Sequence, residues 1–143
     1  MKLSTRGRYG ARFMLDLATN EADGPVLLRE LAGRQSLSSK YLEQLVGPLR
    51  KAGLVKSKRG VKGGFLLAKP PEQIRLLEVV EAVEGPLVLV HCVLHPERCP
   101  RYARCVTTEV WGEVTQSIRE VLRRITLADL MKRQKKKEEG LSK

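Results

Sequence analysis

The sequence predicts a mainly α fold with one small β-hairpin, and three observations carry that expectation. Apolar residues recur at helical spacing in several separated stretches, the longest running from Val110 to Ile125. Two short apolar runs, Leu54-Val55 and Phe65-Leu66-Leu67, flank the basic, glycine-rich stretch Lys58-Arg59-Gly60-Val61-Lys62-Gly63-Gly64. Glycines there supply the positive-φ positions of a tight turn, so the stretch reads as the tip of a two-stranded ribbon. The ribbon follows a serine-flanked turn and an amphipathic helix, which is the order of a winged helix-turn-helix with a β-wing.

The first helix is expected from about Thr5 to Thr19, with Tyr9, Phe13, Met14 and Leu17 on one face and Ser4 or Thr5 as cap. Asn20 to Pro25 is a loop by composition. Leu28 to Arg34 forms a short second helix, and Gln35 to Ser38 the turn before the third, capped by Ser38 or Ser39. In the third helix Tyr41, Leu42, Leu45, Val46 and Leu49 make the buried face, while Lys40, Glu43, Gln44, Gly47 and Lys51 lie opposite. Pro48 sits inside it, where it removes a donor and crowds the preceding turn, so a kink or a break is expected at Gly47-Pro48.

Lys69-Pro70-Pro71 stops the wing, and Ile74 to Val83 returns to helix. From His91 to Cys105 the chain has no periodicity and two prolines, and is expected to be a loop ordered by something it binds. Thr107 to Arg124 then gives the longest helix, roughly 27 Å at 1.5 Å per residue. Its stripe of Val110, Val114, Ile118, Val121 and Ile125 is too long for one small domain to cover, so a second copy is the expected partner and this is the dimerisation helix. Thr126 to Asp129 is a capping-box variant that opens a short last helix, and the tail from residue 135 to 143 is expected to be disordered.

The domain organisation read from this is a winged helix-turn-helix over residues 1–69, a connecting helix and apolar lead over 70–90, a cysteine-containing loop over 91–106, the dimerisation helix and short last helix over 107–134, and the tail. Charge follows the same division. Residues 1–69 hold 14 lysines and arginines against 5 acids, a net of +9, whereas residues 70–143 hold 13 against 11, a net of +2. Six cations and no acid lie between Arg50 and Lys62. An excess peaking on the wing fits a phosphate-binding footprint, with the helix entering a major groove of double-stranded DNA and the wing reaching the backbone or minor groove. No run is long enough to span a membrane and the N-terminus lacks the apolar stretch of a signal peptide, so a cytoplasmic location without membrane partners is expected.

The three cysteines, Cys92, Cys99 and Cys105, lie within fourteen residues. An odd number so closely spaced is a poor disulfide framework and a reasonable metal or cluster site in a reducing compartment. From the residues alone three readings stay open: an iron–sulfur cluster, structural zinc completed by His91 or His95, and unused thiols. Arg98, Arg101 and Arg104 surround the cysteines and are expected to favour their thiolates. Catalysis by Cys92 with His91 as base is disfavoured, because sequence neighbours rarely reach nucleophile–base geometry and no orienting acid accompanies them, so no enzyme is expected.

The segments STRGRYGARFMLDLA, YLEQLVGPLRKAGLV, KRGVKGGFLL and ITLADL resemble, in order and over nearly the whole chain, the winged-helix regulators of iron–sulfur assembly, nitric-oxide response and cysteine metabolism (the IscR, NsrR and CymR group). The resemblance implies a homodimer that binds an imperfect palindrome and represses transcription. It places base and groove contacts on Glu43 and Arg59, with Ser38, Ser39, Lys40 and Gln44 opening the same helix. Lys40, Lys58 and Lys62 are expected at phosphates. It also implies a cluster on Cys92, Cys99 and Cys105, 2Fe–2S ahead of 4Fe–4S, sensing cluster status, iron, redox state or nitric oxide. The alternative is control by a regulatory protein or metabolite partner without a cluster. Two departures stand out: six residues separate Cys92 from Cys99, one more than in the IscR pattern, and Thr108 replaces the histidine that is the fourth ligand there. His95, inside the lengthened interval, is the candidate replacement, since imidazole is a good iron ligand. Glu97, Glu109, solvent, a small thiol or the partner's N-terminal segment near Ser4 to Arg8 are the other candidates.

Overall fold

The computed structural model describes residues 3–142 and bears out the mainly α winged-helix reading. Helix α1 (Thr5–Asn20) is capped by Ser4, whose hydroxyl accepts from the Gly7 amide at 3.3 Å. Helices α2 (Leu28–Gln35) and α3 (Ser39–Lys51) form the helix-turn-helix. Ser38 caps α3, accepting from the Tyr41 amide at 3.1 Å. The break that Pro48 could impose does not occur, because α3 continues through it to Lys51. Gly47 ahead of it carries no Cβ to clash with the proline ring, and buried Leu49 anchors the last turn in the core.

Strands β1 (Val55–Lys58) and β2 (Gly64–Leu67) pair antiparallel, with Val55 opposite Leu67 and Lys58 opposite Gly64. Positive φ at Gly60 and Gly64 turns the chain at the tip. The base of the wing is tied to the body where Val26 and Phe65 exchange backbone hydrogen bonds of 2.9 and 2.8 Å. Phe13, Met14 and Leu17 of α1, Leu31 of α2, Leu42, Leu45 and Leu49 of α3, and Leu54, Ile74 and Leu127 form one core.

Helix α4 begins at Leu76 rather than Ile74 and runs to Glu84. Ile74 and Arg75 are instead extended and paired with the chain ahead of the last helix, through Leu76 N–H to Ile125 C=O and Leu127 N–H to Ile74 C=O. The cysteine segment is more regular than expected. It holds a single helical turn, α5 (His91–Leu94), and two 3-10 turns at Pro96–Arg98 and Tyr102–Arg104. Prolines open the first 3-10 turn and precede the second, where a missing amide costs nothing.

Helix α6 (Val106–Arg124) leaves Val106, Val110, Trp111 and Val121 exposed. Thr126 and Asp129 form the reciprocal capping box at 3.1 and 2.9 Å that opens α7. The expectation of a short last helix and a disordered tail is corrected here, since α7 runs from Leu127 to Leu141. Lysine, glutamate and glutamine are strong helix formers, and Leu127, Leu130 and Met131 hold the first turns against the core. Among the described residues no helix is long and apolar enough to cross a membrane.

Candidate nucleic-acid interface and cysteine segment

The α2–α3 turn is fixed from behind by a buried carboxylate. Asp16 of α1 is 6% exposed and takes hydrogen bonds from Arg34 (2.7 and 3.1 Å) and Gln35 (2.8 Å) at the end of α2. The same hydrogen bond raises the Arg34 pKa above its ordinary value. Such a fork holds α2, and the turn after it, at one angle to α1. Nothing in the sequence pattern marks Asp16, which stands on the apolar face of an amphipathic helix.

With the turn fixed, α3 presents Ser38, Ser39, Lys40, Glu43 and Gln44 together on its exposed side. Lys58, Arg59 and Lys62 are exposed on the wing, so all eight residues singled out by sequence lie on the accessible surface. Two more join them. Val61 at the wing tip is fully exposed, and Arg29 of α2 lines a shallow groove with Ser39, Glu43 and Val61. An apolar residue at a basic tip has no periodicity to reveal it. Among the described residues Glu43, Arg59 and the wing lysines have no ion-pair partner, which leaves their polar ends free for a ligand.

The three cysteines are free thiols, each half-buried. Cys105 stands at the N-cap position of α6 without a side-chain cap bond, its Sγ 3.2 Å from Thr107 Oγ1, and its pKa is lowered to about 7. The cause is hydrogen bonding from Thr107 first and then Thr108, rather than the arginine charge the sequence suggests. Cys92 Sγ lies 3.6 Å from Oγ1 of Thr108, which is buried on the first turn of α6. His95 Nδ1 is 3.2 Å from Glu97 Oε1, and His91 is exposed. Among the described residues no three side chains of His, Cys, Asp or Glu converge on a point where a metal ion could sit.

Residues 3–133 match the Rrf2 family, described as iron-dependent transcriptional regulators. The chain belongs to the Rrf2 family. It is 44% identical over 132 residues to protein rrf2 of Nitratidesulfovibrio vulgaris, covering 92% of this chain and 88% of that protein. It is 42% identical over 130 residues to the regulator CymR of Bacillus subtilis, covering 91% and 89%. Among solved structures it resembles T. potens IscR with a TM-score of 0.76, 45% identity and coverage of 92% and 87%. It resembles CymR of B. subtilis, described as the global cysteine regulator, with a TM-score of 0.76, 40% identity and coverage of 92% and 97%. The protein is therefore a DNA-binding transcriptional regulator and not an enzyme.

For this Rrf2 regulator the donor set suits an iron–sulfur cluster in kind: three accessible thiols in one short segment, one held toward thiolate. Three thiols holding one group would stand closer together than they do here.

Proposed function

We propose that this Rrf2 regulator acts as a homodimeric repressor that reads an imperfect palindrome and is controlled by an iron–sulfur cluster on Cys92, Cys99 and Cys105. The observation that carries the reading is the direct joining of the thiols to the exposed α6 stripe: Cys105 itself stands at the N-cap position of α6. Val106, Val110, Trp111 and Val121 are apolar and uncovered on that helix, which supports a second copy as their partner. In such a dimer α6 sets the distance between two α3 helices, and each α3 enters a major groove about one helical turn from the other.

On α3, Glu43 and Gln44 offer groups for base edges, and Ser38, Ser39 and Lys40 lie where the helix meets the backbone. Arg59 reaches into a groove from the wing, with Lys58 and Lys62 on phosphates. A cluster held by the three thiolates, 2Fe–2S in kind, supplies a group sensitive to iron supply, oxidants and nitric oxide. His95 is this chain's candidate for a fourth donor, and its bond to Glu97 engages Nδ1 and leaves Nε2 free. Segment 91–105 holds α6 at its first turn, so any rearrangement of the segment shifts the balance between dimer geometries that fit and miss the operator.

A second reading has a specific observation behind it. Thr108 stands at the position of the IscR histidine ligand, and the three thiols are not gathered. Control by a protein or metabolite of cysteine metabolism needs neither, and the B. subtilis relative is itself described as a cysteine regulator. Anaerobic purification, an absorption spectrum and an iron and sulfide assay decide between them. A coloured dimer with iron and sulfide is expected, and a colourless protein lacking both overturns cluster control in favour of the second reading.

A further inference from the structure

Outside the winged-helix half, the densest run of cations lies near the C-terminus. Lys132, Arg133, Lys135, Lys136 and Lys137 all lie on α7 and all are exposed. At about 100° per residue they spread over roughly 200° of the helix, with Lys136 opposite Leu127 and Lys135 and Lys137 at the flanks, outside the narrower arc of Leu127, Leu130 and Met131 that packs on the core. None is paired with an acid among the described residues. Glu138, the nearest acid along the chain, is instead hydrogen-bonded by Gln134 at 2.9 Å.

The position of this helix matters as much as its charge. Gln134 and Glu138 line one cavity with Arg12, Asp16, Arg34 and Gln35. Gln35 ends α2, three residues ahead of the Ser38 cap of α3. The basic turns of α7 therefore run beside the turn that opens the recognition helix. The helical course of the chain past residue 134 is what brings these turns there.

We propose that this basic side of α7 is a second phosphate-binding surface that holds duplex DNA flanking the site read by α3 and the wing. The proposal rests on the DNA-contact reading of those two elements. Lysines act as flexible point charges, and Lys135, Lys136 and Lys137 include no aromatic or bidentate reader, so their contribution is independent of sequence. An anionic membrane is a poorer fit, because Leu127, Leu130 and Met131 of α7 are used in the core and Leu141 at its end is the one large apolar side chain left to insert among the described residues of the helix.

The test compares the full-length protein with a variant carrying Lys135→Gln, Lys136→Gln and Lys137→Gln, which keeps helix propensity while removing charge. Binding is titrated across salt concentrations on a duplex recovered from random sequence by selection, made with one helical turn of flank on each side and also trimmed of it. On the flanked duplex the slope of log affinity against log salt should fall by about 0.9 for each phosphate no longer neutralised. Preference over a scrambled duplex should stay the same, and on the trimmed duplex parent and variant should coincide. An unchanged slope on the flanked duplex, an equal deficit on both duplexes, or a lost preference overturns the proposal. A parent that binds no duplex overturns the DNA reading itself, which separates the two failures. Should the triple variant lose helical circular dichroism, Lys136→Gln alone carries the same comparison.

Discussion

Thr108 Oγ1 stands 3.6 Å from Cys92 Sγ, so the first turn of α6 touches the first cysteine of the segment directly. The hydroxyl is a weak partner for iron, but its place is that of a ligand in the IscR pattern. Thr108→His puts an imidazole beside Cys92. The expected result is a cluster that survives exposure to air longer than the parent's, followed as the decay of visible absorbance. Equal decay rates would mean that Thr108 does not face the bound group.

His95 is oriented by Glu97 at 3.2 Å, an exposed pair whose value lies in aiming the ring rather than in stability. His95→Ala is expected to retain part of the cluster while shifting its spectrum and hastening its loss, and each cysteine-to-alanine change should abolish it. If His95→Ala matches the parent in both spectrum and decay, the fourth ligand comes from outside the segment.

The Thr107 and Thr108 hydroxyls stabilise the Cys105 thiolate. Its pKa falls from 9.0 to about 7, so the thiolate dominates above pH 7 and the protonated form below it. In the metal-free protein the rate of alkylation at Cys105 should level off near pH 8, about one unit above that pKa. Thr107→Val should move the midpoint upward. Peptide mass spectrometry after timed iodoacetamide treatment reads both, and a Cys105 midpoint at the ordinary cysteine value would remove the threonines from the account.

Much of this is legible in the sequence because it rests on local rules. The Ser38 cap, the glycine tip and the Thr126–Asp129 box follow from residue chemistry within a few positions. The eight surface residues follow from helical phase and hairpin order, with the family resemblance picking out Glu43 and Arg59 among them. What escapes a reading of the sequence is set by distant partners. Ile74 is extended because it pairs with Leu127, and Asp16 is buried because Arg34 and Gln35 reach it from another helix. The tail departs from expectation for a different reason: a run of lysines looks unstructured until an upstream apolar anchor holds its helix on the body.

The dimer seam can be tested without disturbing the single chain. Val110 and Val121 are each 45% exposed, whereas Ile118 lines a groove with Leu3, Leu87 and Leu89 of its own chain. Val110→Glu or Val121→Glu should therefore leave the fold intact and bury an unpartnered charge only if two copies meet there, at a cost of several kcal/mol. Light scattering should give monomers with an unchanged thermal transition at low concentration. A double-sized particle from both variants would place the seam elsewhere.

Arg59 and Lys62 share the wing tip but should fail differently when removed. Arg59 follows β1 directly, on the turn whose glycines hold the tip in one shape, which on the proposed reading would present its fork to a groove already oriented. Arg59→Ala should cost about 1–3 kcal/mol and flatten discrimination between a selected duplex and its single-base variants. Lys62, exposed beyond the fully exposed Val61, has only its charge to offer. Lys62→Ala should weaken all duplexes alike and lower the salt slope by about one unit for each phosphate the lysine neutralises. Val61 separates the two effects, since an apolar tip gains by leaving water only if the wing enters a groove. Val61→Ser should then weaken binding with no change in salt slope, whereas a wing that only lies along the backbone leaves Val61→Ser and the parent indistinguishable in the same titration.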